Sequence, residues 1–276
     1  MGIVENADSA LDEKAAVAAA ESALEDIAAV RQEIGRVIFG QQNVVEQTIL
    51  AVLSGGHALL VGVPGLAKTK LVGTLGTVLG LDDNRIQFTP VLMPSDILGS
   101  EVMDQNDEGK RSFRFVPGPI FPQLLMAAEI NRASPRTQSA LLESMAERQV
   151  TVEGECRQLA EPFFVIATQN PCNFHGTYPL PEAQLDRFLF HLAIEYPDQQ
   201  SEIELLYNQD SGVRYEIAPI LSAQGLLELQ KQARSVEVHR DLADYIVRLV
   251  RATRDHDQIL IGCSPRGSQM LFRAAQ

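Results

Sequence analysis

One stretch of eight residues has the composition and spacing of a phosphate-binding loop. In such loops backbone N–H groups surround phosphate oxygens, a lysine reaches the β- and γ-phosphates, and a hydroxyl residue ligates Mg²⁺. Lys68 and Thr69 stand at the offsets that this chemistry needs, which a plain Gly/Pro turn does not explain. The stretch therefore predicts binding of a nucleoside triphosphate with Mg²⁺, with Thr69 as the metal ligand. The residues assigned to the phosphates are Gly62, Val63, Pro64, Gly65, Leu66, Ala67, Lys68, Thr69 and the adjoining Lys70.

Ala67 occupies a position that is glycine in the strict pattern. Alanine adds only a methyl group, so the backbone can still approach a phosphate if the φ angle of Ala67 is negative. The flanks also fit, because residues 57–61 form an apolar run typical of a buried strand and residues 68–79 show helical spacing before Gly80. Strand, loop and helix in this order place the phosphates at the positive N-terminus of a helix.

A single carboxylate follows a second apolar run, about 60 residues further on. Residues 124–127 predict a central strand, and Glu129 falls just beyond its carboxyl end, where open parallel sheets place their chemistry. Glu129 there could orient and deprotonate an attacking water, although a surface glutamate after a core strand is the plainer alternative. In phosphate-loop ATPases an aspartate also holds the Mg²⁺, and Ala128 stands at that position here.

Three further polar residues are candidates of lower specificity. Asn170 follows the apolar run 163–168, although Asn-Pro often marks a plain turn. Arg187 and Arg266 stand near predicted helix starts, where a surface ion pair is the usual role of an arginine. Ser264 followed by proline predicts an N-cap, which places Arg266 in the first turn of a helix that faces the site.

Five segments resemble the MoxR-type AAA+ ATPases, and the resemblance runs from about Gly40 to the C-terminus. It implies an α/β fold: an AAA+ P-loop core with a central parallel sheet flanked by helices, plus a smaller all-helical lid domain. Even Ala67 fits, because that family commonly has GxAKT in its phosphate loop. The segments are QFTPVLMPSDILG (87–99), GPIF (118–121), EINRASPRTQSALLESMAERQVTV (129–152), FFVIATQNP (163–171) and GTYPLPEAQLDRF (176–188).

The resemblance also implies roles for the remaining candidates. Asn170 would be the sensor that orients water, and Arg187 the arginine finger that reaches into a neighbouring subunit's site. Arg266 would be the lid sensor that contacts the γ-phosphate of its own subunit, and Phe39 and Gly40 would lie near the adenine. A finger supplied in trans requires a ring, which we expect to be a hexamer. The partners implied are a von Willebrand factor A-domain protein and a client protein.

Ala128 is the main departure from the family, which reads Asp-Glu where this chain reads Ala128-Glu129. Thr69 remains as a ligand, and the phosphates of ATP carry much of the affinity for Mg²⁺. We therefore expect ATP binding to survive and hydrolysis to be weakened. Ala128 has two explanations: the chain is a natural, weakened member of the family, or the residue is a deliberate change that traps the ATP-bound state. The other matched positions are intact, which favours the second.

Composition agrees with a soluble, cytoplasmic chain. The 276 residues include 23 basic and 36 acidic ones, and a net charge of −13 repels nucleic-acid backbones. No apolar run reaches the ~18 residues that suggest a membrane helix, and no basic-then-apolar signal opens the chain. Cys156, Cys172 and Cys263 are odd in number and far apart, which predicts reduced thiols and neither disulfides nor a zinc site.

Three parts are expected along the chain: an N-terminal helical segment (1–39), the α/β core (40–197) and a helical lid (198–276). Apolar residues at helical spacing predict an amphipathic helix or helix pair in the first part and a helix over 40–54 in the core. Strands and helices alternate to about Pro197, as in a parallel sheet with helices on both faces. The apolar positions are Leu24, Ile27, Ile34 and Ile38 in the first part, and Val44, Val45, Thr48, Ile49 and Val52 in the second.

Two insertions interrupt the core, at about 90–118 and 148–159. The first has a predicted turn at 106–109, and the second predicts a hairpin around Glu153-Gly154. Basic residues at 110, 111 and 114 are better explained by a solvated hairpin tip than by a ligand site. By resemblance, such insertions face a central pore and contact a client or partner. The lid helices are expected over 201–207, 222–234 and 240–254. The chain stops ten residues after Arg266, so truncation of the lid is one alternative.

Two classes of function follow. In a mechanochemical ATPase, hydrolysis would change the angle between core and lid and remodel a client, by resemblance in complex assembly, metal insertion or stress response. In a nucleotide-dependent scaffold or switch, ATP would bind with negligible turnover. Ala128 favours the second class, whereas Glu129, Asn170 and Arg187 favour the first. A DNA-remodelling AAA+ protein is disfavoured by the acidic charge.

Overall fold

The computed structural model describes residues 4–105, 111–171, 176–210 and 216–276. Its helices are α1 Val4–Gly35, α2 Gln42–Leu53, α3 Lys68–Val78, α4 Pro94–Leu98, α5 Pro135–Glu147, α6 Glu182–Leu185, α7 Gln199–Asp210, α8 Ala223–Ser235, α9 Arg240–Arg254 and α10 Pro265–Ala275, with a 3₁₀ turn at Ile130–Arg132. Its strands are β1 Ala58–Val61, β2 Asp83–Gln87, β3 Gly99–Gln105, β4 Arg111–Pro117, β5 Leu124–Ala128, β6 Gln149–Val152, β7 Glu155–Gln158, β8 Phe164–Gln169 and β9 Phe190–Ala193.

A five-stranded parallel sheet, in the order β2-β5-β8-β1-β9, forms the centre of the fold. Every residue of β5 is buried, as expected for a parallel sheet covered on both faces. The predicted α/β class is therefore confirmed. Because the strands are parallel, the loops that follow β1, β5 and β8 meet at one edge of the sheet, where the phosphate loop begins.

Side chains of the sheet alternate between two apolar clusters. Leu124 and Met126 of β5 pack with α1, α2 and α3 on one face. Leu125 and Ala127 pack with α5 on the other face. This period of two is the geometry of a strand between two layers, and it holds the carboxyl ends of the strands in fixed positions.

Each insertion in the core forms an antiparallel hairpin, β3–β4 and β6–β7. The second was predicted, and its turn at Glu153 and Gly154 has positive φ angles. Arg157 of β7 lies 3.9 Å from the ring centre of Phe115 on β4, which joins the two hairpins. The predicted turn at 106–109 lies outside the described residues, as does position 110. Arg114 pairs with Asp104 at 3.5 Å, in keeping with a solvated hairpin.

The helical predictions are mostly confirmed. All five residues predicted as the inner stripe of α2 are buried, and α8, α9 and α10 begin within one residue of their expected starts. The N-terminal segment is one helix, α1. Leu24, predicted on its apolar face, is 67% exposed, whereas Val30 and Ile34, nearer the C-terminal end of α1, are buried in the core.

Two broader predictions concern membrane crossing and cysteines. In the described part of the chain, no helix has the length and hydropathy needed to cross a membrane. Cys156 and Cys263 are free thiols, and Cys172 lies outside the described residues.

Candidate functional site

The predicted phosphate loop connects β1 to the N-terminus of α3. Lys68 is the first residue of α3, and its Nζ donates to the carbonyl oxygens of Gly62 at 2.7 Å and Val63 at 2.6 Å. The amide of Gly62 donates to the carbonyl of Gln169 at 3.1 Å, which ties the loop to the end of β8. Lys68 thus begins α3 while its ammonium group lies over the first residues of the loop, and a helix N-terminus beside a positive charge favours phosphate oxygens.

Ala67 has φ +53° and ψ 19°, in the left-handed region. The condition of a negative φ is therefore not met. An L-residue in this region costs about 1–2 kcal/mol because its β-carbon crowds the carbonyl oxygen. The left-handed conformation of Ala67 redirects the backbone from the loop to the start of α3. The first turn of this helix is closed by a hydrogen bond of 2.9 Å from Leu71 N to Ala67 O.

A pocket of about 410 Å³ opens over this loop. The loop, the ends of β5 and β8 and one face of β2 line it together, so the parallel sheet assembles the site from four separate segments. Among the described residues, Arg187, Arg266, Phe39 and Gly40 are not part of this lining. The lining comprises Pro64, Gly65, Leu66, Ala67, Lys68, Thr69, Lys70, Arg85, Gln87, Met126, Ala128, Glu129, Thr168 and Asn170.

Glu129 stands just past the end of β5, with φ +58°. Its amide donates to Thr168 Oγ1 at 2.9 Å, and one carboxylate oxygen accepts from Arg132 at 3.1 Å. Partial burial lowers the pKa of Lys68, and the negative charge of Glu129 opposes that change. The carboxylate is therefore close enough to the lysine for their charges to interact.

Asn170 enters the same pocket from the end of β8. The side chain of Asn131, which is buried, donates to the carbonyl oxygen of Asn170 at 3.1 Å. This bond fixes the backbone at the residue expected to orient water. Sequence reasoning did not single out Asn131 or Thr168, although both lie beside predicted site residues.

The pocket offers a limited set of metal ligands. Ala128 is 4% exposed and belongs to the apolar cluster that faces α3, so no carboxylate projects from its position. Glu129 is the one carboxylate in the pocket lining among the described residues. Mg²⁺ binds through one or two carboxylates, substrate phosphates and several waters. Thr69 and Glu129 fit an ion held mainly by phosphates and water.

Phe39 and Gly40 precede α2 beside the chain that leaves β9. A β-carbon on Gly40 would lie 2.8 Å from both Pro197 and Ser201, and Gln41 Nε2 donates to Glu195 O at 2.9 Å. Gly62 of the phosphate loop is packed against Ile194 of the same segment. Residues 39–41 are thereby placed near the loop, in keeping with the predicted adenine contact.

Arg187 and Arg266 lie together in a different cavity of about 230 Å³. We call this cavity the arginine cleft, defined by Arg148, Arg187, Arg266 and Arg273, which all line it. His57, which precedes β1, also lines it, and its carbonyl accepts from Leu189 N at 2.8 Å. The cleft therefore lies at the amino ends of β1 and β9, whereas the phosphate loop lies at their carboxyl ends.

This position differs from the expected one, in which Arg266 contacts the phosphates of its own chain. Ser264 caps α10 as predicted, but its Oγ also donates to both carboxylate oxygens of Asp186 at 2.8 Å. That bond holds the first turn of α10 beside Arg187. The four residues of β1, at ~3.3 Å each, put about 13 Å of strand between the cleft and the phosphate loop.

His57 is a buried residue that sequence reasoning missed. Its Nδ1 accepts from Val165 N at 3.0 Å, and its Nε2 lies 3.3 Å from Met145 O. Burial lowers the pKa of His57 to about 4, the hydrogen bond to Met145 opposes this, and the charge of Arg148 lowers it further. The neutral ring is a structural element of the cleft floor.

Comparison with known proteins agrees with this geometry. The AAA_3 family model, described as the ATPase family associated with various cellular activities (AAA), matches residues 57–190. A crystal structure of a proposed ATPase from Cytophaga hutchinsonii superposes with a TM-score of 0.85 at 39% identity, covering 95% of this chain and 82% of that one.

Two curated relatives are each 45% identical to this chain. They are the uncharacterised protein YeaC of Bacillus subtilis, matched over 89% of this chain and 76% of its own length, and the chaperone MoxR1 of Mycobacterium tuberculosis, matched over 88% and 66%. The chain thus spans about two thirds of the length of MoxR1.

Proposed function

This chain belongs to the MoxR family of AAA+ ATPases, and on that premise we propose that it binds ATP at the phosphate loop and hydrolyses it slowly to remodel a client protein. The observation that supports this most directly is the pocket that brings the loop, Glu129 and Asn170 together. These groups come from three separate segments, and each has the chemistry that one part of the reaction needs.

Hydrolysis begins with the triphosphate held by the loop amides and Lys68. Glu129 takes a proton from a water that Asn170 orients, and the water oxygen attacks the γ-phosphorus. The bond from the γ-phosphorus to the bridging oxygen then breaks, which leaves ADP and phosphate. A Mg²⁺ ion, with Thr69 as its protein hydroxyl ligand, would supply charge neutralisation across the β- and γ-phosphates. Ala128 leaves that ion without an aspartate beside it, so we expect a reduced rate.

The arginines act between chains. Arg187 and Arg266 lie at the opposite end of β1 from their own phosphate loop, and they share one cleft. Both are therefore assigned to the γ-phosphate of a neighbouring copy, where guanidinium groups stabilise the charge that develops during transfer. This assignment requires a ring, for which a hexamer is our expectation. The hairpins β3–β4 and β6–β7 would contact the client, and a von Willebrand factor A-domain protein is the partner we expect.

Mixing two inactive variants tests the shared site. Lys68→Ala removes nucleotide binding but keeps Arg187. Arg187→Ala removes that guanidinium group but keeps the phosphate loop intact. Each variant, prepared in an Ala128→Asp background to raise the rate, should be inactive alone. An equal mixture should release phosphate from ATP, because some neighbours then combine an intact loop with an intact Arg187. A mixture as inactive as its components, beside an active Ala128→Asp parent, would refute the arrangement.

A nucleotide-dependent scaffold is the second candidate, and Ala128 is the observation that favours it. Restoring the carboxylate with Ala128→Asp should raise phosphate release clearly at high protein concentration if the site is otherwise complete. Equal, negligible rates of the parent and the variant, with ATP binding retained in both, would put the scaffold ahead. Ala127→Gly is a matched control, since it alters the neighbouring buried position of β5 without adding a metal ligand.

A further inference from the structure

The arginine cleft concentrates positive charge in a chain whose net charge is −13. Four guanidinium groups line it, and Nη2 of Arg234 lies at its border, 2.8 Å from where a β-carbon on Gly55 would be. Ion pairs in the described part of the chain involve other arginines, and none includes these five. The cleft is therefore cationic without a paired carboxylate.

Two of the arginines are anchored to the backbone. Arg187 Nη1 donates to Leu142 O at 2.6 Å, and Arg148 Nη2 donates to Gly55 O at 3.1 Å. A guanidinium has five N–H donors, so one bond fixes each group and leaves donors for a ligand. Both side chains are half-buried, whereas Arg266 and Arg273 are exposed on one face of α10.

The arginines also act on one another. Burial lowers the pKa of Arg148, the positive charges of Arg234 and Arg273 lower it further, and Glu161 opposes them. An anion placed among these groups would remove that repulsion. The volume of about 230 Å³ is below the ~300–1,000 Å³ of pockets that enclose drug-sized ligands. It suits a chain of phosphates better than a whole nucleotide.

We propose that the arginine cleft is a polyphosphate-binding site, in which Arg148 and Arg273 join Arg187 and Arg266 in holding the phosphate chain of ATP bound to a second copy of this protein. The second copy as the source of the phosphates rests on the proposed function, whereas the affinity of the cleft for polyphosphate does not. With four guanidinium groups, the cleft prefers a triphosphate to a single phosphate.

The first experiment isolates the cleft with Lys68→Ala, which disables the chain's own phosphate loop. Calorimetric titration with tripolyphosphate should show binding, and inorganic phosphate should bind at least about tenfold more weakly. Arg148→Gln and Arg273→Gln should each weaken tripolyphosphate binding roughly tenfold, the effect of losing a charge-assisted hydrogen bond. Arg251→Gln on α9 makes the same charge change outside the cleft and should have little effect.

Three outcomes would overturn the site: no binding of tripolyphosphate, equal affinity for inorganic phosphate, or an equal loss with Arg251→Gln. Because Arg148 bonds Gly55, its replacement could disturb folding. Arg273 is exposed, so Arg273→Gln gives the deciding result if Arg148→Gln fails to fold.

The second experiment identifies the source of the phosphates. Sedimentation velocity of the Glu129→Gln chain should show association driven by ATP, and Arg273→Gln should weaken that association roughly tenfold without loss of ATP binding to each chain. Association as strong with Arg273→Gln as without it, beside tripolyphosphate binding in the first experiment, would overturn the role of the second copy. Failure of the parent chain to bind ATP would refute the proposed function and leave the polyphosphate site standing.

Discussion

Two adjacent residues, Ala128 and Glu129, bear differently on nucleotide binding and on hydrolysis. Glu129 offers a carboxylate at the end of β5, and Ala128 offers only a methyl group that packs among apolar side chains facing α3. On the proposed function, the phosphates and Thr69 would retain a metal, and Glu129, which also accepts from Arg132, would be left to activate the water. If ATP binds here, we expect these two positions to decide between a slow enzyme and a scaffold.

At the same scale, the sequence predicted which residues share the pocket better than it predicted their backbone conformation. The identities of Lys68, Thr69 and Glu129 are local signals, and the pocket unites all three. The positive φ of Ala67 was not predicted, because the residue type alone favours a negative angle and the loop around it imposes the other. His57 gave no signal, since its burial depends on β8 and α5, which are far away in sequence.

His57 should make the fold sensitive to acid. The pKa of about 4 in the folded chain lies below its ordinary value of 6.5, so the folded state favours the neutral ring. Above pH 6.5 both states are neutral. As the pH falls from 6.5 to 4, the unfolded chain binds a proton that the folded chain refuses, which lowers stability by roughly 3 kcal/mol in all.

His57→Asn should remove much of this dependence, because Asn Oδ1 can accept from Val165 N without titrating. Urea unfolding at pH 7.5 and pH 4.5 would measure it, as the change in the free energy of unfolding between the two. His191→Asn, at an exposed position of β9, is the control. A His57→Asn chain that loses as much stability on acidification as its parent would contradict the role of His57.

At the scale of elements, α10 determines where Arg266 lies. Ser264 accepts from the amides of Arg266 and Gly267 and donates to Asp186, so one hydroxyl both starts the helix and ties it to the residue before Arg187. The cap was predictable from Ser-Pro. The tie to Asp186 was not, because it spans 78 residues of sequence and depends on how the helices pack against the core.

Ser264→Ala should therefore affect turnover more than stability. Loss of the cap costs about 1 kcal/mol, and loss of the bond to Asp186 frees both arginines from their shared position. In the Ala128→Asp background we expect a several-fold fall in kcat with little change in KM, and recovery in Ser264→Thr. Ser222→Ala removes the comparable cap of α8, formed with Gly225 N at 3.1 Å. It should lower Tm similarly and spare kcat, and equal kcat values in the two alanine variants would rule out a special role for Ser264.

The other elements show where local pattern is sufficient. Strands β1, β5 and β8 are continuous apolar runs, and the α2 stripe is regular, so each was predicted. The short edge strand β9 and the five-residue α4 were not singled out, because so few residues give no clear period. Leu24 was misassigned because periodicity identifies a face of a helix but cannot say how far along it the core extends.

At the scale of the whole molecule, the parallel sheet holds the phosphate pocket and the arginine cleft apart. The phosphate pocket and the arginine cleft each have groups that the other lacks, and β1 joins them. If completion of the site requires a neighbour, phosphate release per chain should rise with protein concentration until rings are complete. Measured over a dilution series of the Ala128→Asp chain, the rate per chain should follow the ring fraction from sedimentation.

The Arg187→Ala variant provides the comparison for that series, since its rate per chain should stay low at every concentration. A parent rate that stays flat through ring dissociation would mean that one chain completes its own site, and the assignment of Arg187 to a neighbour would fall.

The short strand β1 has one more consequence. With its loop at one end and its arginines at the other, each copy in the proposed ring would meet its two neighbours through different faces, as in any head-to-tail assembly. A closed ring built this way has a direction: going round it, the phosphate loop of every copy faces the arginines of the next copy on the same side. The effect of a mutation would then depend on the residue: loss of Arg187 would inactivate the site of one neighbour, and loss of Lys68 would inactivate the site of the copy that carries it. A single copy carrying both defects would inactivate two adjacent sites, and the remaining sites of the ring would keep an intact loop and an intact arginine.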